Sequence, residues 1–501
     1  MAKSVPHLHK PTLDKDLDKF SFVEAAAHQV TRGFASIGIG SLFLVIAMIF
    51  AGAYALHQPG AAMVIAAAVI GAYMAMNIGA NDVTNNVGAA VGARAISMTA
   101  ALAMAAVFEV AGAMIAGGDV VTTISAGILD PTQASSPEVF AWAMMAALLA
   151  AALWINLSTY MGAPISTTHS IVGSVMGAGV AASGASAVNW SSMAGIAASW
   201  VISPLLGGVI AAFILYLLKE LIIYREDKIA AARRWVPVLI ALMAGSFSTY
   251  LTIKGAGQIV DVGTPWAYLL GLCLGIVVWL ASIPLIRRQS EGLENRNQSL
   301  RALFRWPLVF SAALMCFAHG ANDVSNAIGP VTAIVHATQF HELASVFVIP
   351  SWVMIIGAFG ISMGLLLFGP KLIRLVGEQI TKLNPMRAYC VALSAALTVI
   401  VASSFGLPVS STHIAVGAVF GVGFFREWYT RNSKRRIAYM RRKAERYDIE
   451  ATFEHNPDEM RRRFLVRRSH FMTIVAAWVI TVPASAALAA VLYLVMFQLF
   501  V

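Results

Sequence analysis

The sequence predicts an all-α polytopic membrane protein built from two repeats of opposite orientation. Hydrophobic residues make up 58% of the 501 residues and charged residues only 12%, and the mean hydropathy is +0.74. Soluble domains carry about 25% charged residues, so this composition indicates a protein that lies mostly in the bilayer. The repeats are indicated by two short motifs, each of which occurs once in either half.

Apolar stretches long enough to cross a bilayer, which takes about 20 helical residues, follow one another along the chain. The full-length stretches are roughly 34–56, 61–86, 97–117, 138–158, 192–217, 236–253, 266–286, 306–328, 346–369, 388–405 and 471–500. Two shorter stretches, 164–183 and 408–424, begin at prolines and either cross the membrane or re-enter it. We therefore predict about 12–13 transmembrane segments.

The positions of Lys and Arg predict the orientation of these segments. Some loops carry four or five of these residues and others carry none: 218–235, 287–305 and 370–387 are basic, and 129–137, 184–191 and 335–345 lack both. The basic loops are predicted to be cytoplasmic, so the net charge of +10 reflects orientation and not nucleic-acid binding. With the sides assigned in this way, the two copies of each motif run in opposite directions, as in transporters with inverted repeats.

We divide the chain into an N-terminal cytoplasmic arm, an extra helix, a first transport repeat, connecting helices with basic loops, a second repeat, a basic cytoplasmic insertion and a final helix. In that order their bounds are 1–33, 34–60, 61–217, 218–305, 306–424, 425–470 and 471–501. The arm has no apolar core, so it is not a cleavable signal. The insertion is expected either to rest on anionic membrane lipid or to act only as a solvated orientation signal.

The first motif is the string GANDV, which occupies residues 79–83 and 320–324. A carboxylate at bilayer depth costs roughly 3 kcal/mol or more, so Asp82 and Asp323 are candidate functional residues. Gly, Asn and Asp all weaken a helix, and we expect a local break that frees oxygen atoms for protons or hard cations. The alternative is that the two carboxylates only cap such breaks.

The second motif joins a proline, three residues rich in hydroxyl groups and a histidine. We expect Pro164 and Pro408 at the first position of a half-helix, with the hydroxyl groups beside the free N–H groups of the first turn. That arrangement is an anion site, and its hydroxyl residues are Ser166, Thr167, Thr168, Ser410, Ser411 and Thr412. His169 and His413 either bond the anion, shuttle a proton or support the site from behind.

Glu109 is a third candidate, because it lies mid-span and the second half offers no carboxylate at the position we align with it, Met354. It serves either cation coupling or a structural hydrogen bond. No Lys or Arg occurs within 161–183, 311–339 or 405–425. A buried anion without compensation is very costly, so we expect the anion to enter together with protons, sodium or a divalent metal.

The motif sequences GANDVTNNVG and GANDVSNAIG, PISTTHSIVG and PVSSTHIAVG, and the pair Phe108-Glu109 resemble the PiT family of inorganic phosphate transporters. The resemblance covers the chain from about residue 61 onward. It implies a fold of about a dozen helices, often dimeric, in which both repeats form one phosphate site with cation sites beside it. Thr84 and Asn86, which follow the first motif, depart from the small residues usual in the family.

By motif, the resemblance assigns the substrate and the coupling ions to Asn81, Asp82, Asn322 and Asp323, and phosphate to the six hydroxyl residues. We expect Asn85 and Asn326 to support the site from behind. The predicted function is proton-coupled uptake of phosphate, free or as a metal-phosphate complex, across a bacterial inner membrane. No resident cofactor or fixed metal is expected, and the homodimer is implied by the family alone.

Alternatives are sodium coupling, another tetrahedral oxyanion such as sulfate, a passive channel and a membrane-embedded hydrolase. Concentrative uptake would exclude the channel. The hydrolase is disfavoured because it needs a nucleophile, a base and an orienting group in one half, whereas both halves carry equivalent residues.

Overall fold

The computed structural model describes residues 34–163, 165–255, 262–340, 348–379, 383–447 and 468–500. The predicted N-terminal arm, Pro164 and residues 448–467 of the predicted insertion lie outside these ranges. Within them the chain is helical, and its β structure is a single bridge between Leu129 and Val188. The all-helical prediction is confirmed.

The first half of the chain contains helices that we number α1 to α8. They are α1 (Phe34–Ala55), α2 (Ala61–Gly92), α3 (Met98–Ala116), α4 (Pro137–Tyr160), α5 (Thr167–Ser183), α6 (Trp190–Leu218), α7 (Lys228–Lys254) and α8 (Thr264–Gln289). Short helical turns lie between some of them, at Gly118–Thr122, Thr123–Gly127, Pro131–Gln133, Ala185–Ala187 and Lys219–Ile223.

The second half contains α9 to α15. They are α9 (Asn297–Leu303), α10 (Arg305–Val335), α11 (Ser351–Gln379), α12 (Pro385–Ser404), α13 (Ser411–Asn432), α14 (Lys434–Tyr447) and α15 (Arg468–Phe500), with a π-helical turn at His336–Phe340. Among the described residues, ten helices are long and apolar enough to cross a membrane, and α9 with α10, bent by 46°, adds an eleventh. The helices α5 and α13 are the two short proline-led segments.

Both GANDV motifs lie inside unbroken helices, so the expected helix breaks are wrong. Residues 79–83 belong to α2 and residues 320–324 to α10, and both helices are α-helical throughout. The glycines serve close packing instead. A Cβ atom on Gly79 would lie 1.9 Å from the carbonyl oxygen of Ile361, and one on Gly320 would lie 2.1 Å from that of Glu109. Each motif helix therefore meets a neighbour, α11 or α3, backbone to backbone.

The same contacts recur in reverse. Gly364 of α11 faces the carbonyl oxygen of Met76, and Gly112 of α3 faces that of Phe317, at 1.9 and 2.0 Å from a built Cβ. Gly79 contacts Ile361, and three residues away from each, Met76 contacts Gly364. In the same way Gly320 contacts Glu109, and three residues away from each, Phe317 contacts Gly112. Such matched contacts are what two copies related by a two-fold axis would make, and they support the repeat hypothesis.

Glycines of the short helices make a second matched set of contacts. Gly173 and Gly177 of α5 face the backbone of Val482 and Ala486 in α15. Gly417 and Gly421 of α13 face the backbone of Pro204 and Gly208 in α6. By this correspondence α15 is the counterpart of α6. We propose that the second repeat extends from α10 to α15 and is interrupted by the insertion that holds α14.

Replacing Gly79 by alanine should destabilise the fold, because the new methyl group would overlap the Ile361 carbonyl in a contact between two backbones. Overpacking of this kind costs about 1–3 kcal/mol or more, and the thermal unfolding midpoint of the purified protein in detergent should fall. Gly92→Ala is the matched control, since a Cβ atom there meets nothing within 4 Å. Equal midpoints for the two variants would contradict the packing role.

Candidate functional site

Two carboxylates, one from each half of the chain, lie together at the centre of the helix bundle. Asp82 of α2 is 1% exposed and Asp323 of α10 is 0% exposed. A buried carboxylate is costly unless donors satisfy it. The hydroxyl donors here come from the first turns of α5 and α13, so four helices meet at this point.

The hydroxyl groups reach across the two halves. Thr412 of the second half donates to Asp82 Oδ1 at 2.9 Å, and Thr167 of the first half donates to Asp82 Oδ2 at 3.0 Å. The Thr167 hydroxyl also lies 3.5 Å from Asp323 Oδ2, and Ser411 donates to the same oxygen at 3.3 Å. The two motifs that we identified separately therefore form one site.

The short helices start three residues later than expected, at Thr167 and Ser411. Ser166 and Ser410 are the N-caps, and their hydroxyl groups accept the N–H groups of His169 and His413 at 3.1 and 3.3 Å. Pro408 precedes its cap by two residues, so its predicted place at the first helical position is wrong. Its carbonyl oxygen accepts the Trp200 indole N–H at 3.1 Å.

The anion-binding capacity of the two helix starts remains after capping. In each first turn the N–H group of the histidine is bonded to the cap hydroxyl. The N–H group of the residue after the histidine is bonded to the backbone carbonyl of the cap residue. Such N–H groups at a helix start attract anions. In these two first turns, the N–H groups of Thr167, Thr168, Ser411 and Thr412 have no hydrogen-bond partner among the described residues.

Asparagines tie the motif helices to the short helices. Asn85 donates both to Asp82 Oδ1 at 3.1 Å and to the Thr412 hydroxyl at 2.8 Å, so it is part of the site and not behind it. Asn322 donates to the Val409 carbonyl at 2.8 Å, and Asn326 donates to the Thr168 hydroxyl at 3.2 Å.

Asn81 differs from its counterpart Asn322. It is 6% exposed, and its side-chain NH₂ group has no hydrogen-bond partner among the described residues. Asn322, in contrast, also accepts a hydrogen bond from Ser403 at 3.2 Å. The first motif thus offers an unused buried donor where the second has a fully bonded amide.

His319 is the site residue that the sequence analysis missed. Its Nε2 atom lies 2.9 Å from Asp323 Oδ2 and 3.6 Å from Asp82 Oδ2, and its Nδ1 atom lies 3.3 Å from Glu109 Oε1. Asn86 donates to the same Glu109 oxygen at 2.6 Å. Glu109 therefore lies at the end of a buried chain of polar groups that begins at the two aspartates.

The signal for His319 was present in the sequence. It directly precedes the second GANDV string, whereas Ile78 precedes the first. The same asymmetry holds for Glu109. Matched glycine contacts pair Glu109 with Ile361, so our alignment with Met354 was wrong by seven residues, because α3 and α11 start at different distances from their motifs. The two residues that break the repeat are in contact with each other.

The donor atoms at the centre also suit a cation. Ligand atoms of Asp82, His319 and Asp323 all lie within 4.8 Å of one another. In the described part of the chain, no Lys or Arg contacts these side chains. Carboxylate oxygens with one imidazole can hold a proton, and they can also ligate a divalent metal.

His169 and His413 lie together, away from the carboxylates. Their ring centroids are 4.3 Å apart, and each ring packs on a tryptophan, His169 on Trp200 at 3.8 Å and His413 on Trp478 at 3.7 Å. All four ring nitrogens are buried and without hydrogen-bond partners in the described ranges. The pair lines the junction of α5 and α13 and does not touch Asp82 or Asp323.

A helical, multi-pass membrane protein with one buried polar site assembled from two copies of the same motifs belongs to the class of membrane transporters. A family model described as the phosphate transporter family matches residues 78–489, and the chain belongs to this family. This membership excludes the hydrolase alternative.

The relatives and a solved structure agree with this assignment. A "Putative phosphate permease" of Helicobacter pylori strain J99 is 44% identical, with 94% of this chain and 96% of that protein covered. A "Putative phosphate permease" of Pyrococcus abyssi is 38% identical, with 72% of this chain and 88% of that protein covered. The solved structure, "The sodium-dependent phosphate transporter", has 32% identity and a TM-score of 0.76, with 88% of this chain and 100% of that chain covered. The Helicobacter relatives are consistent with a bacterial inner membrane.

Replacing Ser410 by alanine should lower stability by about 1 kcal/mol, because the His413 N–H loses its acceptor. Glycine in the same place should cost only a few tenths of a kcal/mol, since it suits an N-cap without a side chain. Thermal unfolding in detergent measures both variants. Identical midpoints for Ser410→Ala and Ser410→Gly would show that the hydroxyl does not act as a cap.

Proposed function

We propose that the protein takes up inorganic phosphate by symport with a cation, and that phosphate binds between the first turns of α5 and α13 beside Asp82 and Asp323. The observation that carries the proposal is the contact between hydroxyl groups of one half and carboxylates of the other. The Thr167 hydroxyl lies beside Asp323, and the Thr412 hydroxyl donates to Asp82. One phosphate there would contact both repeats at once.

Charge balance makes cotransport necessary. Two like charges 4 Å apart repel by about 4 kcal/mol at an effective dielectric constant of 20. Phosphate beside Asp82 and Asp323 would meet such repulsion from each ionised carboxylate, and no Lys or Arg among the described residues contacts these two side chains to offset it. A proton or metal ion on the carboxylates removes the repulsion, so cation and anion bind more tightly together than singly.

Hydrogen bonding links the two binding events directly. The hydroxyl protons of Thr167 and Thr412 are directed at Asp82 oxygens. When a cation neutralises Asp82, these acceptors weaken, and the hydroxyl groups can turn to a phosphate oxygen. The same donors thus satisfy either the bare carboxylate or the bound anion, which makes transport of one without the other unfavourable.

Selectivity for phosphate over sulfate follows from the carboxylates. Monohydrogen and dihydrogen phosphate carry an O–H group that can donate to whichever of Asp82 and Asp323 stays ionised, whereas sulfate can only accept. A bound sulfate would leave a carboxylate oxygen without a donor and place two acceptors against each other, a penalty of about 1–3 kcal/mol.

Two observations bear on the coupling cation. The buried contact between Glu109 and His319, which ends at Asp323, supports a proton, because each of these groups can gain or lose one during a cycle. The similarity to a solved sodium-dependent phosphate transporter supports sodium. The imidazole among the donors also suits a divalent metal carried with phosphate. We propose the proton, with sodium as the second candidate.

Asp82→Asn and Asp323→Asn should each reduce accumulation of radiolabelled phosphate in proteoliposomes by about 10- to 100-fold. Asparagine has nearly the same shape but cannot neutralise or release a cation, and hydrogen bonds to a charged group are worth about 1.5–3 kcal/mol. Asp119→Asn is the matched control, since that carboxylate pairs with Lys254 at the end of α7. Near wild-type uptake by either variant would remove that aspartate from the transport site.

Glu109→Gln should lose net accumulation driven by a pH gradient while it retains exchange of labelled for unlabelled phosphate. The amide can keep the bond from Asn86 but imitates a permanently protonated carboxylate. Glu138→Gln, at the exposed start of α4, is the control. Uptake that requires sodium and ignores an imposed pH gradient would overturn proton coupling, and a fully active Glu109→Gln would remove this residue from coupling.

A further inference from the structure

A cavity of about 960 Å³ lies on the predicted cytoplasmic side, where the α6–α7 turn, the start of α9 and helix α14 meet. It shares no residue with the transport site. Its charged lining comprises six basic and two acidic side chains: Arg225, Lys228, Arg234, Arg296, Arg435 and Arg442, with Glu226 and Asp227. The volume is within the range of small-molecule sites.

Several of these cations have protein partners. Arg435 pairs with Glu220 at 2.7 Å, and Arg442 pairs with Glu226 at 2.8 Å. These two contacts hold α14 against the α6–α7 turn and form one wall. In the described part of the chain, no carboxylate forms an ion pair with Arg225 or Arg234, and Glu220, which interacts with Arg225 at longer range, is already paired with Arg435. Asp227, the cap of α7, accepts the Ala230 N–H at 2.9 Å and forms no ion pair with either arginine among the described residues.

Lys228 is the second indication of an anion. It is 4% exposed, and its ammonium group donates to the Arg225 carbonyl at 3.1 Å and to the Tyr439 hydroxyl at 2.9 Å. The group also lies 4.7 Å from the centroid of the Tyr439 ring. No carboxylate pairs with it among the described residues. A buried charge is rarely kept without a counter-charge. The position of this lysine therefore indicates that an anion binds in the cavity.

The remaining lining narrows the chemistry of the ligand. Tyr224, Trp235 and Tyr439 supply aromatic surfaces, and Asn295 and Asn297 supply amides. Arginine guanidinium groups bind phosphate with two parallel hydrogen bonds. The cavity is much larger than one phosphate ion needs.

We propose that this cavity binds a ligand with two or more phosphate groups, which the unpaired Arg225, Arg234 and the buried Lys228 hold. Its source is either a soluble nucleotide, whose base would lie on the aromatic wall, or an anionic phospholipid that carries two phosphate groups. The ligand would join α14, which belongs to the insertion, to the α6–α7 turn at the end of the first repeat. It is a site for control of the transporter and not for its substrate.

Binding of ADP and of inorganic pyrophosphate to the purified full-length protein, measured by isothermal titration calorimetry, tests the soluble source. The variant Arg225→Gln with Arg234→Gln should weaken binding by about tenfold or more, since each change removes a charged donor. Arg431→Gln with Lys434→Gln is the matched control. It removes the same charge from exposed positions near the cavity that do not line it.

Native mass spectrometry of the protein extracted from nanodiscs with anionic phospholipid tests the membrane source. Loss of a retained phospholipid in the Arg225/Arg234 variant but not in the control would support the site and assign the ligand to the membrane. Equal binding of every probe by wild type, variant and control would overturn the proposal. So would the absence of both nucleotide binding and lipid retention in the wild type, and so would an equal loss in variant and control.

Discussion

The structure depends on the need to satisfy two buried carboxylates. Asp82 and Asp323 are buried in this structure, and each must find donors from the protein. The first turns of α5 and α13 supply them, with hydroxyl groups, and a helix start also presents free N–H groups. This one requirement brings four helices from distant parts of the chain to a common point, and it explains why the aspartate motif and the hydroxyl motif are duplicated together.

Close helix packing makes that meeting possible. The motif glycines allow α2 and α10 to touch α11 and α3 at backbone distance, and the glycines of α5 and α13 do the same toward α15 and α6. Small residues let helices approach closely in a membrane, where the hydrophobic effect between helices is absent. Backbone bonding is continuous through the motif positions of α2 and α10, so these two helices contribute only side chains to the polar centre, because unbonded backbone is costly in lipid.

Composition and repeated strings were sufficient to predict the helical class, the span positions and the convergence of both motifs, since each rests on local patterns. Three features needed the tertiary structure. His319 occurs in one copy only, so a search for duplicated residues passed over it. The continuity of α2 at Gly79 depends on what packs against that glycine, and helix propensity does not describe that contact. The pairing of Glu109 with Ile361 depends on where α3 and α11 cross their partners, which sequence spacing did not reveal.

The contact between Glu109 and His319 has no counterpart in the other half, where Ile361 and Ile78 occupy the matching positions. Two identical repeats would give inward-open and outward-open shapes of equal energy, and the resting population would be divided evenly between them. Here one helix contact holds a polar pair and the matching contact holds an apolar pair, so the energies of the two shapes are no longer equal. On the inverted-repeat hypothesis, the empty carrier would then prefer one side of the membrane, and protonation of the Glu109–His319 pair would change that preference.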